Sequence, residues 1–490
     1  MELHAPLSRG YIRDPVHGYI VFDKKMEKPL IDHILVQRLR HIRQLQLTYL
    51  VYPGATHSRF SHSIGVMHLA GRFAETLLER LGPGETEGYD TGSLVESARI
   101  LGLIHDIGHG PFSHAFDEAV LSRYFRNRRE AVNHEALGRT IYEQYIKDLL
   151  SKQFYGTHLE GAEEIVSSIL SDRDRGVLNL VRFVVKDFYY PADLLDFLVR
   201  DSYYTGTVEY GFIDASRLIE SSYPVRLDSG GYRVALDRKA DGALRGLLQA
   251  KVSMYEYVYL HHSNRAYDRL LKKILDKYAV DLGLVEAVEK LVGGDPISYA
   301  FLWDDVVHHR IMSLGKEECP GAEYLRRRYS PWKLEYTPIR IPLIRAIPNR
   351  VLEGIKARVE EMISEKIQLT ESPIEEFWVE AAEIRPVPPT VAAPGGHGPF
   401  LFAYKKDNGI SIESIKPDKL SSILGVIPTL HIRVYVRRDI YATLGRDRVK
   451  QIVLEASETV MKELDEAYKI GDIISVQEKE NLESHERVTM

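Results

Sequence analysis

Apolar positions along the chain keep a mainly helical rhythm, interrupted early and late by short alternating segments. Residues 11–23 (Tyr-Ile-Arg-Asp-Pro-Val-His-Gly-Tyr-Ile-Val-Phe-Asp) predict two short strands around a Pro/Gly turn. Over residues 30–50, Ile34, Leu35, Leu39, Ile42 and Leu45 recur every three or four positions, which predicts one amphipathic helix. Its polar face carries Arg38, Arg40, Arg43 and Gln44, which taken alone is a solvated basic face. After Pro53-Gly54 a second helix is predicted over 56–81, with His57, Arg59 and His62 in its first turns. Ser93 and Glu96 have capping-box spacing and open a helix through Ala98, Leu101 and Ile104, stopped by Gly108, Gly110 and Pro111. Helices follow over 112–125, 134–150, 187–204 (with Pro191 at an early position) and 238–278. Residues 217–236 look strand-like.

The final third changes character. Residues 331–348 are rich in Pro and β-branched side chains, 351–368 read as helix, and 384–399 as a Pro/Gly loop. A cleanly alternating strand over 429–436 and a helix over 446–468 complete it. The pattern predicts a mainly α fold in four stretches. Residues 1–50 are a strand pair and helix packed on the core, 51–328 a helical core, 329–475 a small α+β appendage, and 476–490 a charged tail.

Composition narrows the classes. At 490 residues the chain is too long for one compact core and suggests two or three domains. Its 44% apolar and 27% charged residues are those of an ordinary soluble protein. A net charge of −6 argues against a general nucleic-acid binder, while local Arg clusters could still meet phosphate. A single cysteine, Cys319, excludes intramolecular disulfides and Cys-rich zinc sites and fits a reducing compartment. No signal-peptide core and no run of about 18 apolar residues occurs, so a membrane partner is not expected and a cytoplasmic location is.

Candidate chemistry concentrates in residues 105–117, where His105, His109, His114, Asp106 and Asp117 fall within thirteen positions. Imidazole and carboxylate are divalent-metal ligands and proton carriers near neutral pH. A hydrolytic metal site needs three or four such ligands plus open positions. His62, His105, Asp106 and Asp193 are the candidates, and Fe, Mn, Zn, Ni or Mg would suit them. Asp193, Asp196, Phe197, Arg200 and Asp201 share one broad helix face.

The ordered set His62…His105-Asp106…Asp193 resembles the H…HD…D signature of HD-domain metal-dependent phosphohydrolases. Asp14-Pro-Val-His-Gly18, Gln37-Arg-Leu-Arg40, Pro53-Gly-Ala-Thr-His57, Arg59-Phe-Ser-His62, His105-Asp-Ile-Gly-His-Gly-Pro-Phe-Ser-His114 and Asp196-Phe-Leu-Val-Arg-Asp201 are similar to its dNTP triphosphohydrolase branch. That branch includes the mammalian enzyme with SAM and HD domains and bacterial dGTPases. The resemblance covers about residues 11–270, leaves no room for an N-terminal SAM domain, and makes 51–328 the HD-domain catalytic core.

The resemblance implies hydrolysis of a dNTP to deoxynucleoside and triphosphate, with attack at the α-phosphorus. It places the metal on His62, His105, Asp106 and Asp193, and puts His109, Asp117 and His134 around the α-phosphate as catalytic groups. A protonated His134 beside Asp117 suits the general acid, although the residues leave that choice among the histidines open. Arg59 and His114 would contact phosphate, Gln44 and Asp201 the sugar 3′-OH, Leu45 would exclude a 2′-OH, and Tyr267 would lie beside the base. Asp32, Gln37 and Arg40 match an activating-nucleotide site between subunits of a dimer or tetramer, although Gly10 and Tyr11 stand where a basic residue is expected. Leu194, Phe197 and Tyr259 also depart from the mammalian pattern, where Lys, Tyr and Arg assist with substrate. Two alternatives stay open: an HD phosphohydrolase for a nucleoside monophosphate or cyclic nucleotide, and a binding protein with a vestigial site.

Overall fold

The structure is a computed structural model. It describes residues 9–468 apart from 174, 229, 316–318, 327–328, 337–340, 343–348, 368–373, 388–397, 407–408 and 427. The charged tail 476–490 and most of the loop expected over 384–399 lie outside the described residues. The chain forms two units: residues 1–326 with 390–420, and residues 327–389 with 421–490.

The first unit is mainly helical, as the apolar rhythm predicts. It opens on an antiparallel hairpin of Arg9–Asp14 and Gly18–Asp23. The Asp14 carboxylate accepts the N–H groups of Val16 and His17, both at 2.9 Å, and closes the turn.

Residues 30–50 do not form the single helix expected. Short helices Lys28–Ile31 and Ile34–Gln37 are separated by His33, which takes an extended conformation and caps the second. A 3-10 turn Arg38–His41 follows, and Ile42 returns to extended backbone. The apolar spacing is real, but it belongs to a broken segment lying on the core. Nor is the polar side simply a solvated face. Arg38 is 2% exposed and donates to the carbonyls of Ile107 at 3.1 Å, His109 at 2.6 Å and Leu302 at 3.4 Å.

Helices Arg59–Leu78 and Thr91–Ile104 pack together at the centre of the unit. The second is capped by Asp90, which accepts the Ser93 N–H at 3.0 Å, so the expected Ser93–Glu96 box is not used. Ser93 Oγ instead donates to the His158 carbonyl, and Glu96 is buried. Helix Ala192–Thr205 begins after Pro191, which precedes it in extended conformation. The predicted 238–278 helix divides into Asp241–Met254, a π-helical turn Tyr255–Tyr259 and His262–Tyr278. Another π turn, Asp117–Leu121, interrupts the helical stretch over 112–125.

Of the stretch expected to be strand-like over 217–236, residues 217–220 belong to helix Ala215–Glu220, while strands Ser222–Arg226 and Tyr232–Asp237 pair as a hairpin. Phe400–Lys406 pairs parallel with Tyr232–Asp237, and Gly409–Ile415 adds the outer edge. Residues 400–415 were expected within the 329–475 appendage. They return to the first unit because Ala235, Leu401 and Ala403 bury one another there.

In the second unit, Thr429–Arg437 is the central strand and pairs antiparallel with Trp332–Tyr336, Ile341–Pro342 and Phe377–Ile384. Val359 and Ile363 of helix Asn349–Ser364 and Val449, Val453 and Ala456 of helix Arg446–Tyr468 pack with Leu430, Ile432 and Val434 of the strand. Polar His431, Arg433 and Arg437 are buried too, so both faces of this strand are covered. Among the described residues no helix is long and apolar enough to cross a membrane.

Candidate active site

Three helices supply one wall of a cavity of about 680 Å³. His62 lies on the first turn of Arg59–Leu78, His105 and Asp106 just after Thr91–Ile104, and Asp193 at the start of Ala192–Thr205. His62 Nε2 stands 3.1 Å from His105 Nε2 and 3.1 Å from Asp193 Oδ1. His62 Nδ1 is 2.8 Å from Asp196 Oδ2, and His105 Nδ1 is 2.7 Å from the Gly102 carbonyl. Both partners are acceptors, so each Nδ1 carries the ring proton and each Nε2 offers a lone pair. Lone pairs from two imidazoles and a carboxylate converging this closely repel one another unless a cation sits among them. A proton on His62 Nε2 can take that part: burial disfavours charge on His62, yet hydrogen bonds to Asp193 and Asp196 outweigh it and raise its pKa to about 10. The pocket therefore favours positive charge, and a divalent metal fits its donor set.

Asp106 stands beside this triad, with Oδ1 3.4 Å from His105 Nε2 and Oδ2 3.8 Å from His62 Nε2. Its Oδ2 is also engaged by the Arg59 guanidinium. Burial favours the neutral acid, but Arg59 holds the carboxyl well below the usual range. Arg59 is 3% exposed and spends its Nε on Ser113 Oγ at 2.7 Å. The phosphate contact expected of Arg59 thus belongs to a guanidinium already anchored on two sides.

The turn after Pro111 is strained. Phe112 (φ 58°) and Ser113 (φ 54°) are consecutive left-handed residues, a conformation that costs non-glycine residues about 1–3 kcal/mol each. Asp304 holds them there, accepting the Phe112 N–H at 2.7 Å and the Arg43 N–H at 2.9 Å. Sequence reading missed Asp304, which lies 192 positions from Phe112 and belongs to no motif. Burial pushes its carboxyl up to about 6, against those two N–H groups and Arg43. Between its ordinary 3.8 and about 6, the folded protein therefore binds a proton that the unfolded chain does not. This group's contribution to stability should fall by about 3 kcal/mol as pH rises through that window. Urea unfolding at about pH 4 and about pH 7 should show the pH slope shifting by that amount in Asp304→Asn relative to wild type; identical slopes would contradict the assignment.

A second group faces the same cavity. His134 Nδ1 hydrogen-bonds Asp117 Oδ2, and the His109 ring stacks on His134 with centroids 3.9 Å apart. His114, 60% exposed, meets His109 edge-on. Asn133 caps helix His134–Ile141 by accepting the Ala136 N–H at 2.8 Å, so His134 is not needed as a cap. A Cβ on Gly108 would fall 2.0 Å from the His134 carbonyl, which is why glycine stands where the two segments touch. Burial opposes charge on His134, but the hydrogen bond to Asp117 raises its pKa above 6.5. Burial, Arg59 and His134 push His109 well below that value. The environments drive the two histidines apart.

Gln44 and Leu45 line the cavity, and Gln44 Oε1 is buried without a hydrogen-bond partner. Gln46, which sequence reading did not single out, lines it as well and leaves its Oε1 in the same condition. Asp201 also lines the cavity, but its oxygens are already engaged by His57 Nε2 and by the Tyr259 hydroxyl, each at 2.7 Å. Tyr267 does not reach the cavity. It is 5% exposed among Leu270, Leu271 and Ile274 on the apolar side of its helix, while Tyr255 and Tyr259 of the preceding π turn line the wall. Arg139, Arg182, Lys186 and Lys272 line the cavity too, a basic lining found only by folding. Asp32, Gln37 and Arg40 do not line the cavity. Asp32 pairs with Lys28, and Arg40 donates to Gln37 Oε1 at 2.7 Å while covering the Phe60 ring.

Residues 59–189 match the model of the HD domain. An uncharacterized protein of Methanocaldococcus jannaschii is 34% identical over 266 residues, covering 54% of this chain and 49% of that protein. A deoxynucleoside triphosphate triphosphohydrolase SAMHD1 homolog of Dictyostelium discoideum is 31% identical over 274 residues, covering 54% and 48%. The chain spans about half the length of the curated relatives it matches. In fold, the chain is similar to a crystallised phosphohydrolase from Bacteroides thetaiotaomicron, with a TM-score of 0.61, 23% identity and coverage of 88% of this chain and 100% of that one. Residues 59–189 thus resemble the HD domain, and over about half its length the chain is similar to a deoxynucleoside triphosphate triphosphohydrolase homolog.

Proposed function

We propose that the protein hydrolyses deoxynucleoside triphosphates to deoxynucleoside and inorganic triphosphate. The observation that carries this is the presence, in one cavity, of a cation-seeking triad beside a His/Asp group whose histidines have opposed proton affinities. A divalent ion on His62, His105, Asp193 and Asp106 would neutralise phosphate charge and acidify the attacking water. His134, kept protonated by Asp117, gives its proton to the departing 5′-oxygen, while neutral His109 beneath it adds no competing charge. Arg59 and His114 hold phosphate oxygens. The unpartnered Gln44 Oε1 accepts the sugar 3′-OH with Asp201 nearby, and Leu45 crowds a 2′-OH. Asp32, Gln37 and Arg40 would bind an activating nucleotide between subunits of a homo-oligomer.

The test is incubation of the full chain with each dNTP under Fe, Mn or Mg, with and without GTP, followed by chromatography. Triphosphate and deoxynucleoside are the expected products. Orthophosphate from a monophosphate, or a linear nucleotide from a cyclic one, with no triphosphate from any dNTP, would overturn the proposal.

A further inference from the structure

Behind the triad, Asp196 is fully buried and engaged from two sides. Its Oδ2 accepts from His62 Nδ1 and Arg200 Nε, both at 2.8 Å, and its Oδ1 from His17 Nε2 at 2.6 Å and Arg200 Nη2 at 2.9 Å. Arg200 Nη1 continues to Asp14 Oδ2 at 2.8 Å, and Asp14 closes the turn that presents His17. No slack remains in this network: a Cβ on Gly65 would fall 1.9 Å from Asp196 Oδ1.

An ionised carboxylate only accepts, so both His62 and His17 donate to Asp196. Arg200 is anchored on the same helix as Asp196 and grips both of its oxygens. His17 is the one donor to Asp196 brought from the N-terminal hairpin, and it pins the oxygen that faces away from His62. Without it the carboxylate is freer to turn about Cβ–Cγ, a soft torsion, and the His62 ring turns with it.

We propose that His17 is a positioning residue of the metal centre. Acting through Asp196, it fixes the tautomer and ring orientation of His62, and so makes the hairpin, which lies outside the HD-matched residues 59–189, a working part of the metal site. The inference rests on the metal centre and is independent of which nucleotide is hydrolysed.

The experiment measures Mn²⁺ affinity of the full chain by competition with a chelator, alongside the melting temperature without added metal. His17→Ala should bind Mn²⁺ about tenfold more weakly than wild type. His17→Gln, whose amide can still donate to Asp196, should recover most of that loss. Ile20→Ala removes a fully buried hairpin side chain with no bond to Asp196. It should lower the melting temperature and leave Mn²⁺ affinity unchanged. Wild-type affinity in His17→Ala overturns the proposal, as does an equal loss in Ile20→Ala. Should His17→Ala not fold, His17→Phe makes the same comparison with the ring kept and the donor removed. Wild-type affinity in His105→Ala would instead remove the metal centre itself, and the two failures are thereby distinguished.

Discussion

His134→Gln should lower kcat for dNTP hydrolysis by about 10²–10⁴-fold while leaving KM near the wild-type value. Glutamine keeps a donor of similar reach but has no proton to give at neutral pH, so the departing 5′-oxygen would leave as an unprotonated alkoxide. Ground-state contacts change little, which is why the loss should fall on kcat. The pH profile separates this from a loss of packing. His134 has its pKa raised above 6.5 by Asp117, so the acid form persists into the neutral range and is lost as pH rises through the raised value. The wild-type profile should therefore fall on its alkaline side, and His134→Gln should lack that limb. Asp117→Asn should move the limb toward lower pH, because the neighbour that holds the proton is then neutral. An unchanged alkaline limb in both variants would show that the proton comes from elsewhere.

Arg38→Ala should destabilise the first unit by about 3–5 kcal/mol. The guanidinium satisfies three carbonyls of buried residues, two of them in the turn joining His105-Asp106 to His109. It also lies over the Tyr299 ring, whose hydroxyl donates to the carbonyl of Gly108 in the same turn. Truncation therefore opens a cavity and strands buried acceptors beside the metal ligands. Arg38→Lys should recover little, since one ammonium cannot span carbonyls that a planar fork reaches together. Chemical denaturation of the full chain measures this directly. A loss below about 1 kcal/mol would mean that the turn is held by other groups.

Arg38 also shows where reading the chain reaches its limit. The 3.6-residue rhythm predicts a mainly α fold because apolar side chains must be buried wherever they fall, and the helices around His62, His105 and Asp193 follow from it. The same rhythm assigns polar residues to solvent, so a guanidinium that enters the core to meet carbonyls looks like a surface charge. The candidate ligands stand out because His and Asp are dense near residue 105, whereas Asp304 belongs to no such cluster and works through backbone N–H groups of Phe112 and Arg43, far away in sequence. Tyr267, placed beside the base by the resemblance alone, lies on the buried side of its helix and outside the cavity lining. The helix expected unbroken over 238–278 is interrupted by a π turn at Tyr255–Tyr259 and by non-helical His261, and Tyr255 and Tyr259 of that turn line the cavity. Motif resemblance supplied much of the candidate site, and the orientations within it came only from folding, as Asp106 turned partly toward Arg59 illustrates.

The return of strand Phe400–Lys406 to the first unit bears on the order in which the chain can fold. On a ribosome, Tyr232–Asp237 emerges with its outer edge bare and stays so while more than a hundred further residues are added. The strand that covers it arrives only after most of the second unit's helix Asn349–Ser364 and strand Phe377–Ile384 have been made. The unit holding the cavity is thus completed late, and its open sheet edge is a period of exposure to mispairing that a contiguous domain would avoid.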